Sequence, residues 1–202
     1  MKFDYSYWEP FPPQKAAQLF SRFPALWCIA GGWGLDLFMG KVSRKHDDID
    51  LVLLRRDQHL VFQLFSGFEI FVVDPPGTLR PWLAEEYLCA PLYNIWIREE
   101  ATGPWRVQLM LQDHTEEDWL FRRDHSIAGP IKELIILSSA GIPILNPVIQ
   151  LLYKAKDIRT KDQQDFHEIL PHLETEDKNW LHDKIVQVYG EQHAWLDSLL
   201  LS

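Results

Sequence analysis

GGWGLD at residues 31–36 and RKHDDIDL at residues 44–51 decide the fold of this chain. The apolar run that precedes them, residues 26–30, is bounded by Pro24 and Gly31, a pattern that predicts a short buried strand. Apolar residues at helical spacing follow and stop at Gly40, which predicts a helix over residues 33–39. Gly31 and Gly32 are therefore expected to form a tight turn from strand to helix.

Such a turn suits an anionic ligand. Because Gly31 and Gly32 lack side chains, their backbone N–H groups can approach a triphosphate closely. The N-terminus of the helix adds the positive end of its dipole at the same place. A pair of glycines before a helix is more often ordinary turn geometry, so this motif alone is weak evidence for a phosphate site.

Two carboxylates follow at a spacing typical of a metal site. Asp48 and Asp50 are separated by Ile49, and in an extended strand residues two apart lie on the same face. Mg²⁺ takes oxygen ligands and usually keeps only one or two protein carboxylates, with water and substrate phosphates in its other positions. The sequence therefore predicts that Asp48 and Asp50 bind Mg²⁺ or Mn²⁺.

Together, the two motifs resemble the fingerprint of the DNA-polymerase-β-like nucleotidyltransferases, in which Gly-Gly is followed after an interval by Asp-x-Asp. Here fifteen residues separate Gly32 from Asp48. The chain is more similar still to the aminoglycoside and lincosamide nucleotidyltransferases, or adenylyltransferases. That resemblance covers residues 26–54 and a second patch at residues 147–166, and it is carried by Gly31, Gly32, Trp33, Asp36, Arg44, His46, Asp48 and Asp50.

The resemblance implies a metal-dependent transfer of a nucleoside monophosphate, AMP from ATP or the equivalent from another nucleoside triphosphate. The acceptor would be a hydroxyl of a small molecule, such as an aminoglycoside-like or lincosamide-like antibiotic. The resemblance assigns metal binding to Asp48 and Asp50, and nucleotide binding to the glycine pair and three cationic side chains: Gly31, Gly32, Arg44, His46 and Lys154.

The third carboxylate of these enzymes is missing from its expected place. It should lie on a neighbouring strand, and the predicted strand 106–111 has Gln108 at the matching position. A glutamine carbonyl can bind a metal but cannot take a proton from the acceptor. Asp113 has the opposite strand parity and would reach the site only if the strand ended or bulged first.

Several side chains admit two interpretations. Lys154 and Lys156 point about 200° apart on a helix, so at most one reaches the nucleotide; we favour Lys154, and the alternative is two exposed lysines. Arg44 either steadies the triphosphate or pairs with Asp36. Trp33 either packs the helix on the sheet or stacks on a nucleobase.

Two acidic residues in the second patch are expected to serve structure. Asp162 and Asp165 should cap the next helix and pair with Arg159 or Lys161 rather than touch substrate.

The remaining pattern predicts an α+β (α/β) protein: a nucleotidyltransferase domain over residues 1–130, with a mixed sheet flanked by helices, and a mainly helical segment over residues 131–202. Helices are expected at residues 13–23, 58–65 and 81–88, and strands at 69–73, 93–98 and 106–111, the last two forming a hairpin. Asn146 and Pro147 should begin a helix.

Composition limits the function classes. No apolar stretch approaches the roughly 20 residues that span a bilayer, and residues 1–5 lack the apolar character of a signal peptide, so we expect a soluble, cytoplasmic protein. Cys28 and Cys89 have no metal-site or disulfide spacing. The net charge of −9 disfavours nucleic acid and favours a cationic or neutral acceptor. The oligomeric state cannot be predicted.

Two other functions compete with a small-molecule transferase. One is nucleotidyl transfer to RNA or protein, as in toxin-like members of the superfamily. The other is a regulatory module that binds nucleotide but has lost turnover, which Gln108 favours.

Overall fold

A computed structural model describes residues 3–200. Ten strands and seven α-helices are found in this part of the chain. The strands are β1 (Trp27–Ile29), β2 (Asp50–Leu54), β3 (Glu69–Val73), β4 (Leu79–Pro81), β5 (Asn94–Arg98), β6 (Trp105–Gln112), β7 (Asp118–Leu120), β8 (Ala128–Pro130), β9 (Ile135–Leu137) and β10 (Pro143–Leu145). The helices are α1 (Pro13–Phe20), α2 (Gly31–Met39), α3 (Leu60–Leu64), α4 (Pro147–Lys154), α5 (Thr160–Ile169), α6 (Thr175–Tyr189) and α7 (Leu196–Leu200).

Eight of the strands form one mixed sheet, in the order β4-β3-β5-β6-β2-β1-β10-β9, and β7 and β8 form a separate pair. Strands β2 and β6 run parallel, as do β1 and β10, whereas the other neighbours in the sheet are antiparallel. The predicted α+β class, with a mixed sheet flanked by helices, is therefore confirmed. The predicted hairpin of β5 and β6 is also confirmed.

Both faces of the sheet are covered. Ile49, Leu51 and Leu53 are fully buried in a core on the face that also carries Phe20 of α1 and Val61 of α3. The alternate residues of β2, Val52 and Leu54, belong to a second core, on the opposite face, built largely by α4 to α7. Because side chains alternate along a strand, Asp50 shares the face of Val52 and Leu54, beside these helices.

The ends of two helices follow the predicted signals. Helix α2 ends at Gly40, whose φ of 68° is readily adopted only by glycine. Pro147 occupies the first turn of α4, and the side chain of Asn146 accepts a hydrogen bond from the N–H of Val148. These confirm the predicted helix end and the predicted cap.

Two expectations about the chain organisation differ from the structure. The predicted helix at 81–88 is wrong, because β4 pairs with β3 through Pro81, and the N–H of Trp82 then donates to the carbonyl of Ile70. Residues 135–145, assigned by sequence to the helical segment, supply β9 and β10 of the sheet, where Ile144 pairs with Ile29. Predominantly helical structure begins at Pro147, and the division into two domains stays a prediction.

Across residues 3–200, no helix combines the length and the apolar character that crossing a membrane would require.

Candidate active site

The carboxylate strand and the glycine pair meet at one end of β2. Asp50 is the first residue of β2, and its carbonyl accepts a hydrogen bond of 2.8 Å from the N–H of Ala30, the residue before α2. Gly31 has a φ of 64°, a left-handed conformation that other residues rarely adopt. A side chain at Gly31 would collide with the carboxylate of Asp50. The glycine is therefore required for both its backbone conformation and the space that Asp50 occupies.

The glycines lie in the first turn of α2 rather than in a turn before it, so the helix begins two residues earlier than predicted. The N–H of Gly31 donates to the side-chain carbonyl of Gln150 at 2.6 Å, and this contact is buried. The N–H of Gly31 is thus already bonded to a side chain of α4. The N–H of Gly32 lies in the first turn, where N–H groups lack intrahelical partners, and Gly32 lines the cleft beside Asp48.

Asp48 and Asp50 lie close enough to interact electrostatically. Burial, followed by the charge of Asp48, raises the pKa of Asp50 to about 7, although the positive charges of Lys154, Lys161 and Arg159 oppose this shift. A pair of carboxylates that resist simultaneous ionisation is the arrangement that a divalent cation relieves.

The donor set also fits such a cation. No group of three or more His, Cys, Asp or Glu side chains suited to a metal occurs within residues 3–200. Two carboxylates match Mg²⁺ when substrate phosphates complete its shell, and the all-oxygen donors do not suit zinc.

Gln108 lies directly beside this pair. Strands β2 and β6 are parallel and in register, so that Asp50 is opposite Gln108, and both line the same cleft. Asp113 is not available as a replacement carboxylate. It accepts hydrogen bonds from Arg55 at 2.6 Å and from the hydroxyl of Tyr93 at 2.9 Å.

The loop before β2 is fixed by contacts that the sequence did not reveal. Arg44 forms two hydrogen bonds of 2.9 Å with Asp165 of α5, so the alternative in which Arg44 pairs with Asp36 is wrong. Asp36 instead pairs with His46 at 2.5 Å, and both side chains are almost fully buried. Trp33 lies against His46 with ring centroids 4.4 Å apart, which places it in the packing of this loop.

Lys154 lines the cleft but is held by two carboxylates, Asp162 at 3.0 Å and Asp165 at 2.9 Å. Only 7% of its side chain is exposed, whereas Lys156 is 56% exposed and pairs with Asp157. Both lysines line the cleft, and the expected helical separation does not apply because α4 ends at Lys154, two residues before Lys156.

Helix α5 supplies the two acids of this network. Asp162 completes the cap of α5 with Arg159, which confirms the predicted cap, whereas Asp165 pairs with Arg44 and Lys154 instead of the expected partners. Burial alone would raise the pKa of Asp162, but the hydrogen bond from Arg159 and the charge of Lys154 lower it to about 2.

Gly31, Gly32, Asp48, Asp50, Gln108 and Lys154 line one cleft of about 520 Å³. Its charge is opposite to that of the whole protein, because seven basic and four acidic side chains line it. The basic residues are Arg44, Arg122, Arg123, Lys154, Lys156, Arg159 and Lys161; the acidic residues are Asp48, Asp50, Asp157 and Asp162.

Sequence reasoning missed three of the residues that shape this cleft: Lys161, Arg122 and Gln150. Lys161 has no ion pair or hydrogen bond within the described chain, and its charge acts on Asp50. Lys161 and Gln150 lie within the second patch of resemblance, residues 147–166, but the contact of Gln150 with Gly31 joins residues 119 positions apart. Spacing along the chain did not indicate that Lys161, Arg122 and Gln150 would meet at one cleft.

Comparison with known proteins identifies similar folds. A family model described as aminoglycoside-2''-adenylyltransferase matches residues 14–74. The solved structure of a lincomycin-bound lincosamide antibiotic adenylyltransferase, LnuA, is 18% identical, with a TM-score of 0.54 over 77% of this chain and 92% of that one.

Two structures of the antibiotic-resistance factor ANT(2'')-Ia are also similar. The crystal structure with adenylyl-2''-tobramycin is 16% identical, with a TM-score of 0.56 over 87% of this chain and 95% of the other. The solution structure is 17% identical, with a TM-score of 0.55 over 88% and 95%. A search of curated proteins gives no match. The chain therefore has the fold of these proteins.

Proposed function

We propose that this chain, a nucleotidyltransferase by its fold and by the family match of residues 14–74, transfers AMP from ATP to a hydroxyl of a small molecule. The proposal depends above all on one observation. Asp50 lies against Gly31, and Asp48 and Gly32 line the same cation-rich cleft. The related proteins were solved with lincomycin or with an adenylylated tobramycin, which makes antibiotics of these classes the first acceptors to test.

Asp48 and Asp50 are the residues that would hold Mg²⁺ or Mn²⁺. Bound there, the metal ion neutralises charge on the phosphate oxygens of the nucleotide. The raised pKa of Asp50 supports this assignment, because burial and then the charge of Asp48 both disfavour its ionised form, and a bound cation would offset both.

Two positive residues of the cleft, Lys161 and Arg159, would bind the triphosphate. Lys161 carries no ion pair within residues 3–200, and the charge of Arg159 also acts on Asp50. The N–H of Gly32 adds a donor at the positive end of α2. Lys154 serves this site by holding Asp162 and Asp165, and through them Arg159 and Arg44, in place.

In the transfer itself, the acceptor oxygen attacks the α-phosphorus in line. A new O–P bond forms, the bond from the α-phosphorus to the bridging oxygen breaks, and pyrophosphate leaves with that electron pair. The side-chain carbonyl of Gln108 can accept a hydrogen bond from the acceptor hydroxyl and so orient it. It cannot remove the proton, which passes instead to water or to the leaving pyrophosphate, and this step is slower than in an enzyme with a carboxylate there by about 10² to 10⁴.

The test measures nucleotide binding and turnover separately. The affinity of Asp50→Asn for Mg²⁺ and ATP should fall at least ten-fold, whereas that of Asp157→Asn should change little, because Asp157 is an 81% exposed acid at the cleft rim. Circular dichroism should show that both variants are folded. Equal affinity in the wild type and Asp50→Asn would contradict the proposed site.

Gln108 supports one competing function, a regulatory module that binds nucleotide without turnover. Release of pyrophosphate that depends on an added aminoglycoside or lincosamide would favour the transferase. Tight nucleotide binding with no pyrophosphate release across an acceptor panel would favour the regulatory module. Transfer of radiolabelled AMP from ATP to RNA or protein, instead of to a small molecule, would identify a toxin-like activity.

A further inference from the structure

Arg122 is a cation without an anionic partner at the cleft wall. It lies in the turn after β7, and its guanidinium is placed over the rings of Tyr93 and Tyr153, 5.3 and 5.4 Å from their centroids. Within residues 3–200, no ion pair or side-chain hydrogen bond engages this guanidinium. Burial and the neighbouring charge of Arg123 lower the pKa of Arg122, so its positive charge is incompletely compensated by the protein.

The cleft contains no carboxylate that is free to pair with Arg122. Asp48 and Asp50 form the candidate metal site, and Asp162 is held by Arg159 and Lys154. Asp157 is at the rim, paired with Lys156. A polycationic ligand would thus meet an excess of like charge along this wall, and like charges placed together cost several kcal/mol.

The position of Arg122 separates it from the phosphate end of the cleft. Tyr153, beneath Arg122, donates a hydrogen bond of 3.1 Å to Gln112, the last residue of β6. Gln112 lies four residues beyond Gln108, a distance of about 13 Å along the strand. Arg122 therefore lies nearer to the Gln112 end of β6 than to Asp50 and Gln108.

We infer that Arg122 binds an anionic group of the acceptor, a carboxylate or a phosphate, while the acceptor hydroxyl lies at Gln108. This inference rests on the proposed function and narrows it. The aromatic rings hold the guanidinium flat, and its planar array of donors matches two oxygens of an oxyanion. The acceptor is then a hydroxylated molecule with an anionic group, and not a polycation.

The first experiment asks whether Arg122 binds an oxyanion when the nucleotide site is filled. The protein is saturated with Mg²⁺ and α,β-methylene-ATP and titrated with sulfate or with acetate, while the Nε–Hε resonance of Arg122 is followed by NMR. The two salts distinguish a preference for phosphate-like from carboxylate groups. A saturable shift of this resonance is expected. The inference would be overturned if neither salt shifts the resonance. It would also be overturned if the nucleotide analogue itself contacts Arg122 and thereby prevents any response to the salts.

Variants separate the guanidinium from general electrostatics. Arg122→Gln should weaken anion binding at least ten-fold, and Arg122→Lys less, since it keeps the charge but loses the planar donors. Lys156→Gln, which removes one positive charge from the rim, should change it by less than three-fold. The affinity for the nucleotide analogue should stay within two-fold in Arg122→Gln. Equal effects of Arg122→Gln and Lys156→Gln, or loss of analogue binding in Arg122→Gln, would refute a role for Arg122 toward the acceptor.

The second experiment uses turnover. Pyrophosphate release is compared for lactobionate, lactose 1-phosphate, lactobionamide and the disaccharide of glucosamine, which are long enough to reach from Gln108 toward Arg122 and present hydroxyls with different charges. An anionic member should give the highest kcat/KM, and Arg122→Gln should remove that preference. A preference for the glucosamine disaccharide would overturn this inference and leave the transferase function intact. Saturable anion binding without pyrophosphate release from any acceptor would instead contradict the transferase function and leave the anion site standing.

Discussion

Gly31→Ala offers the sharpest test of how the glycine pair and the carboxylates depend on each other. The substitution carries two separate costs. A left-handed φ costs a residue with a side chain about 1–2 kcal/mol. The new methyl group would also meet the carboxylate of Asp50, and forcing an extra carbon into a filled site costs about 1–3 kcal/mol.

Gly141→Ala is the matched control. Gly141 has a similar φ of 73°, but a side chain there would meet no atom within 4 Å. It should cost about 1–2 kcal/mol, from the backbone alone. The free energy of unfolding, measured by urea denaturation, should therefore fall by about 1–3 kcal/mol more for Gly31→Ala than for Gly141→Ala.

A double-mutant cycle assigns this difference to the carboxylate. In an Asp50→Ala background the methyl group at residue 31 no longer meets a carboxylate, so the cost of Gly31→Ala should approach that of Gly141→Ala. In the wild-type background, Gly31→Ala should also weaken Mg²⁺-dependent binding of ATP, because it displaces Asp50. Equal unfolding costs for the two glycine variants, together with unchanged ATP affinity, would refute the reasoning.

Three further predictions concern the ion network and the acceptor site. Asp165→Asn removes a carboxylate held between two cations, with 2% of its side chain exposed, and should lower the free energy of unfolding by about 3–5 kcal/mol. Glu168→Gln, in an exposed pair, should lower it by less than about 1 kcal/mol; similar losses in urea denaturation would contradict this view. Because the pKa of Asp162 is lowered to about 2 in the folded protein, its stabilisation is complete above about pH 4 and is lost as the pH falls toward 2. In Asp162→Asn, the free energy of unfolding should no longer show this loss between about pH 4 and pH 2. The same pH profile in the wild type and the variant would contradict the prediction. Gln108→Glu supplies a general base beside Asp50 and should raise kcat by about 10² or more. If kcat does not increase at any pH, proton removal does not limit turnover.

The central motif of the site could be predicted because its parts lie close together in the sequence. The Asp-x-Asp spacing on a strand fixed which face Asp50 shares, and Ile49, Leu51 and Leu53 are indeed buried on the other. Gln108 was matched to the place beside Asp50 through the resemblance to the nucleotidyltransferases, because alternation within a strand does not determine which residues of two strands are opposite. The face on which Asp50 lies needed no tertiary information, because strand periodicity acts between neighbours in the chain.

The partners of the charged side chains could not be predicted. Arg44 pairs with Asp165, which is 121 residues away, and not with the nearby Asp36. Several acids lie within reach of any long side chain, and the choice among them depends on how α5 packs beside α2. The overall charge of −9 does not describe the cleft for the same reason, because the fold collects seven basic side chains around it.

The sequence by itself determined the strand, the glycine pair, the two carboxylates and the chemistry they suit, since each depends on spacing within a few residues. Only the tertiary structure decided that Gln150 occupies the N–H of Gly31, that Asp162 and Asp165 hold Lys154, and that Arg122 lies without an acid at the far wall. The physical reason is range: strand and helix periodicity act between neighbours in the chain, whereas hydrogen bonds and charges act between whatever groups the fold brings within a few ångströms.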